Sequence, residues 1–95
     1  MYGKKADSQM IEELFKYIIS INDINECTDF FEDLCTKQEI EKMAQRIKAA
    51  RLLSEGKTFK QVLEQCDIST ATLSRVSRAV KYGKGYKKLL SEKEF

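Results

Sequence analysis

The sequence predicts an all-α protein of five to six helices, with a helix-turn-helix in its C-terminal half. Three observations carry that prediction. Apolar residues recur at the 3.6-residue period along most of the chain. There is no proline and there are only four glycines, which is too little turn chemistry for a sandwich or barrel of short strands. Hydroxyl and acidic side chains stand just ahead of the apolar stripes, where helices begin.

The first stripe runs from Met10 to Ile21, with Ser8 as the expected N-cap and Glu12 and Glu13 in the early turns, where the helix dipole favours anions. Asn22 and Asp23 interrupt it. A second stripe follows at Ile24, Cys27, Phe30, Phe31, Leu34 and Cys35, and acids occupy the other faces. Thr36 is the expected cap of a third, longer helix. Glu39 stands at its capping-box position, and Ile40, Met43, Ala44, Ile47, Ala50 and Leu53 point inward. Gly56 ends that helix, as a residue free to take φ > 0. Thr58 then caps a short helix with Phe59, Val62, Leu63 and Cys66 as its apolar residues, and Ser69 caps the next, whose stripe is Leu73, Val76 and Val80. Gly83 and Gly85 stop it, and a short helix around Tyr86–Leu90 closes the chain.

Ninety-five residues, 42% hydrophobic and 34% charged, make a single helical domain. Its expected parts are dimerisation helices over 8–55, the helix-turn-helix over 57–83 and a tail or short helix over 84–95. No run of 18 apolar residues can span a bilayer, and no leader-like apolar segment opens the chain, so a cytoplasmic location and no membrane partner are expected. The absence of histidine removes histidine-based metal sites and nucleophile pairs. Cys27, Cys35 and Cys66 form no C-x-x-C pair and read as core thiols in a reducing compartment. Carboxylates are scattered, with no glycine-rich phosphate loop, so neither catalysis nor a metal is expected. Eight of the twelve residues from Met10 to Ile21 are apolar, too many for a helix with one face in water. A second copy of the chain is the expected cover.

Charge is unevenly spread. Residues 1–56 carry eight Lys and Arg against eleven Asp and Glu, whereas residues 57–95 carry nine against four. From Ser69 to Lys88 there are six cations and no acid. That asymmetry describes a polyanion-binding face when a scaffold presents it. Residues 59–78 have the layout of such a scaffold. Val62 and Cys66 fill the inner face of the first helix, Ile68 plugs the turn, and Leu73 and Val76 anchor the second helix. Asp67 is expected to take the φ > 0 turn position that glycine commonly fills. Leu63 replaces a smaller residue and is expected to set the two helices slightly apart.

The outward residues have chemistry suited to double-stranded DNA. Ser69, Thr70, Ala71, Thr72, Ser74, Arg75, Arg78 and Lys81 lie on or beside the second helix. Short hydroxyls can approach base edges and phosphates, alanine can touch a thymine methyl, and arginine can pair with guanine in bidentate fashion. Lys57, Lys60 and Gln61 on the preceding helix are expected to face the flanking backbone.

With these residues in place, the segments FFEDLCTKQEIEKMAQRIKAARLLSEGKTF (30–59) and ISTATLSRVSRAVKYG (68–83) resemble the Trp-repressor superfamily, most closely its YerC/YecD-type branch of small bacterial proteins. The likeness covers about 70 residues from Ile24 onward, and its most specific part is STATLSRV. It implies an intertwined all-helical homodimer that binds operator DNA through two helix-turn-helix units, as a transcriptional regulator of the repressor type. In the repressor that names the superfamily, two arginines sandwich an indole ring and a threonine helps hold its carboxylate. Arg46, Arg75 and Thr36 match those positions and form a candidate effector pocket. Val76 stands where that repressor has glycine and Ala79 where it has serine. A β-branched side chain takes the indole's space, so no cofactor is expected and tryptophan is not the expected corepressor. Two alternatives stay open: a helical protein-interaction module using the acidic segment Asp23–Asp33, and a regulator answering to an effector other than tryptophan.

Overall fold

A computed structural model describes residues 5–92. Residues 1–4 and 93–95, the latter part of the tail expected over 84–95, lie outside the described residues. Among those described there are six helices and no strand: α1 (Ser8–Ile19), α2 (Ile24–Leu34), α3 (Lys37–Ser54), α4 (Phe59–Gln65), α5 (Thr70–Tyr82) and α6 (Gly85–Glu92). The protein is all-α. None of these helices is long and apolar enough to cross a membrane. The chain divides into two compact units at the Thr36–Lys37 junction.

In the first unit, α1 is capped by Asp7 and not by Ser8: the Asp7 carboxylate accepts from the Met10 N–H at 2.9 Å. Both residues can cap. The carboxylate begins the helix one residue earlier, and Ser8 becomes its first helical residue. Asp23 caps α2 by accepting from the Glu26 N–H at 2.8 Å, and the Glu26 carboxylate accepts in return from the Asn22 N–H at 2.9 Å. Both helices are amphipathic, yet neither has a buried residue. Met10, Phe15, Tyr17, Ile19 and Ile24 are all more than half exposed within one chain.

The second unit holds the core. It consists of Ala49, Ala50 and Leu52 from α3, Val62 from α4, Cys66 after it, and Leu73 and Val76 from α5. No polar or charged side chain is buried among the described residues. Leu53, Ile68, Val80, Tyr86 and Leu90 pack around it half-buried. The inward face of α3 therefore differs from the sequence expectation. Ala50 and Leu53 turn inward, joined by Ala49 and Leu52, while Ala44 is exposed and Ile47 is 55% exposed. Ile40 and Met43 are half-buried. The helix carries two apolar stripes, and the C-terminal one faces α4, α5 and α6.

α3 ends as expected. Gly56 has φ +93°, its N–H donates to the Leu53 carbonyl, and the Lys57 N–H donates to the Leu52 carbonyl, both at 3.0 Å. These two bonds are the Schellman pair that satisfies the last carbonyls of a helix. α4 begins with a full capping box. Thr58 Oγ1 accepts from the Gln61 N–H at 3.2 Å, and Gln61 Oε1 accepts from the Thr58 N–H at 2.9 Å.

Candidate nucleic-acid interface

The α4–turn–α5 segment is built on that core. Val62 and Leu73 are fully enclosed, Val76 and Cys66 nearly so, and Ile68 is half-buried in the turn, so the five apolar positions of the motif are filled. Leu63 lies at the surface, 36% exposed. The turn also differs from expectation. No residue other than glycine has positive φ among those described, Asp67 included. Cys66, at φ −125° and ψ 142°, and Ser69, at φ −75° and ψ 157°, change the chain direction with extended backbone. The Asp67 N–H donates to Gln45 Oε1 on α3 at 3.0 Å, which supplies the acceptor that a left-handed turn would have made unnecessary. Lys48 Nζ adds a longer bond to the Gln65 carbonyl at 3.4 Å.

Ser69 caps α5. Its hydroxyl accepts from the Thr72 N–H at 3.1 Å and donates to Thr72 Oγ1 at 3.0 Å. Both hydroxyls are thereby engaged at the helix start, and Thr72 is half-buried. Thr70, Ala71, Ser74, Arg75, Arg78 and Lys81 are exposed. Among the described residues none of Arg75, Arg78, Lys81, Lys57 and Lys60 pairs with a carboxylate; the ion pairs are Lys16–Glu12 and Arg51–Glu55, elsewhere in the chain. The exposed side of α5 thus combines two short hydroxyls, a methyl and three cations whose donors are uncommitted. Gln61 is exposed, but its side-chain oxygen is taken by the capping box, which leaves its NH₂ group outward.

Of the three residues of the candidate effector pocket, two come together. Arg46 and Arg75 line one cavity of about 240 Å³, with Thr72, Val76, Ala79 and Tyr86 as its other walls. Val76 and Ala79 stand beside the two arginines, as the family resemblance implies. Thr36 ends the first compact unit. Tyr86 was absent from the sequence-based candidates. Its spacing of four from Leu90 marks the inner face of α6, but not the cavity that this face meets. Tyr82 was also missed: it is 81% exposed and shares a surface depression with Arg75 and Arg78.

Comparison with known proteins bears on this arrangement. The family model for the Trp repressor protein matches residues 9–94. The chain belongs to the Trp repressor family. It is 44% identical over 79 residues to the uncharacterized protein YerC of Bacillus subtilis (strain 168), covering 83% of this chain and 76% of YerC. Among solved structures it is similar to a TrpR-like protein from Eubacterium eligens ATCC 27750, with a TM-score of 0.83 and 41% identity over 93% of this chain and 95% of that one. A candidate Trp repressor from Staphylococcus aureus gives a TM-score of 0.84 and 35% identity, over 90% of this chain and 86% of the other.

Proposed function

We propose that this protein is a sequence-specific DNA-binding transcriptional regulator, a repressor in its simplest form, that acts as a homodimer in the cytoplasm and has no catalytic role. One observation carries the reading: the outward face of α5 presents Thr70, Ala71, Ser74, Arg75 and Arg78 with no carboxylate partner among the described residues, while the inward face is fixed by Leu73 and Val76. A buried stripe holds the helix, and the opposite face is free to enter a major groove. Arg75 and Arg78 are assigned to base edges or to clamping phosphate, and Thr70, Ala71 and Ser74 to close approach near the helix start. Ser69 and Thr72 shape that start. Lys57, Lys60, Gln61 and Lys81 are assigned to the phosphate backbone. The dimer is supported by the amphipathic helices α1 and α2, whose apolar faces one chain leaves unburied.

The test is binding of the purified protein to DNA selected from a random pool, measured between about 50 and 200 mM salt. Phosphate neutralisation predicts a steep log–log loss of affinity with salt, together with preference for the selected site over single-base variants. Weak binding insensitive to sequence would instead favour a protein-interaction module, with the acidic helix α2 as its first candidate surface.

A further inference from the structure

We propose that Tyr86 is a positioning residue for DNA recognition: carried on α6, it holds α5 against α3 so that the reading face is set without any bound small molecule. This inference rests on the DNA-binding reading above and names what sets its geometry. Leu73 and Val76 anchor the middle of α5, but beyond them the helix has no buried residue, and its apolar Ala79 and Val80 are half-buried. α6 packs on both α3 and α5, and its inner residues Tyr86 and Leu90 lie against the core. Tyr86 differs from Leu90 in also walling the 240 Å³ cavity, which Arg46 of α3 and Arg75 and Ala79 of α5 line as well. The ring therefore stands where the supporting helix and the reading helix come together, next to a residue assigned to DNA.

The turn that delivers it is sterically defined. A Cβ on Gly83 would lie 2.6 Å from the Ala79 carbonyl oxygen, which already accepts from the Gly83 N–H at 2.8 Å. Only glycine lets the chain leave α5 so close to its last turn and bring Tyr86 back three residues later. A tyrosine suits this position because a large, stiff ring fills space at a low cost in side-chain entropy. Base readout tolerates displacement of about 0.5 Å, whereas lysine contacts to phosphate adapt by moving their long side chains. Loss of the ring should therefore reduce discrimination before it reduces general affinity for DNA.

The experiment compares wild type, Tyr86→Ala, Tyr86→Phe and Leu90→Ala for binding to the selected site and to random DNA, with thermal melting of each protein. Wild type should bind its site with no additive. Tyr86→Ala should lose roughly tenfold on the selected site, part of one base contact, and change little on random DNA. Tyr86→Phe should retain binding. Leu90→Ala, which removes a core contact but no wall of the cavity, should lower stability without the same loss of selectivity. Should Tyr86→Ala fail to fold, Tyr86→Leu makes the same comparison. Equal losses of selectivity for Tyr86→Ala and Leu90→Ala at matched stability would overturn the proposal. So would a wild type that needs an added small molecule to select its site. A wild type with no site-selective binding under any condition removes the DNA reading itself, and this inference with it.

Discussion

Arg75 and Arg78 stand three residues apart on α5, on neighbouring parts of one exposed face. On the DNA-binding proposal, their position separates reading from anchoring. Arg75→Ala is expected to relax discrimination at particular base pairs by about 1–3 kcal/mol, as a lost bidentate contact does. Lys60→Ala, on the preceding helix, is expected to weaken binding to all sequences alike and to lower the salt slope by about one. Competition between the selected site and its single-base variants distinguishes the two, and an equal, sequence-independent loss would show that α5 does not read bases. Thr72 belongs to neither group. Its hydroxyl and N–H are tied to Ser69, so its removal acts first on the helix start. A second expectation at this scale concerns tryptophan. Val76 and Ala79 wall the cavity beside both arginines, so micromolar tryptophan should neither bind nor change DNA affinity. Calorimetric heat at one ligand per subunit would contradict this.

Among the elements, caps were more legible than faces. Gly56, Thr58 and Ser69 act across about one helical turn, through hydrogen bonds to backbone groups that every helix leaves unpaired, so residue type and spacing are enough to find them. The inward face of α3 was harder. An eighteen-residue helix that carries Ile40, Met43 and Ile47 on one stripe and Ala49, Ala50, Leu52 and Leu53 near its other end has two candidates for burial, and periodicity does not say which meets a neighbour in the same chain. The turn before α5 was misread for a related reason. The acceptor for the Asp67 N–H is Gln45, 22 residues away, and no local pattern announces it. Two substitutions test the elements. Gly56→Ala meets no atom within 4 Å, so its cost should be that of forcing an L-residue to φ +93°, about 1–2 kcal/mol. Leu73→Ala removes a fully enclosed side chain and should cost roughly 2–5 kcal/mol. Urea unfolding measures both, and a neutral Leu73→Ala would mean that α5 is not anchored where its burial places it.

For the whole molecule, the apolar width of α1 predicted from sequence and the exposure observed in the structure point the same way. A folded monomer would leave Phe15, Tyr17, Ile19 and Ile24 in water. Joining two copies through α1 and α2 is expected to bury more than the ~1,200–2,000 Å² of an ordinary interface, since interlocked helices share a core. Sedimentation at micromolar concentration should give twice the chain mass, and a folded monomer there would defeat the claim. Composition and spacing revealed the fold class and the motif because those follow from local periodicity. The Arg46–Arg75 cavity emerged only through the likeness to known proteins, since nothing in the spacing of residues 29 apart says that they meet.

The core beneath α5 contains no buried polar or charged group among the described residues, and the helix is fixed to it chiefly by Leu73 and Val76. Neighbouring positions 74 and 75 are exposed, with no buried network to disturb when they change. On the proposed DNA-binding reading, target preference and folding are then nearly independent traits. A duplicated copy of this gene could then drift to a new target site through a handful of surface substitutions while its stability stayed constant.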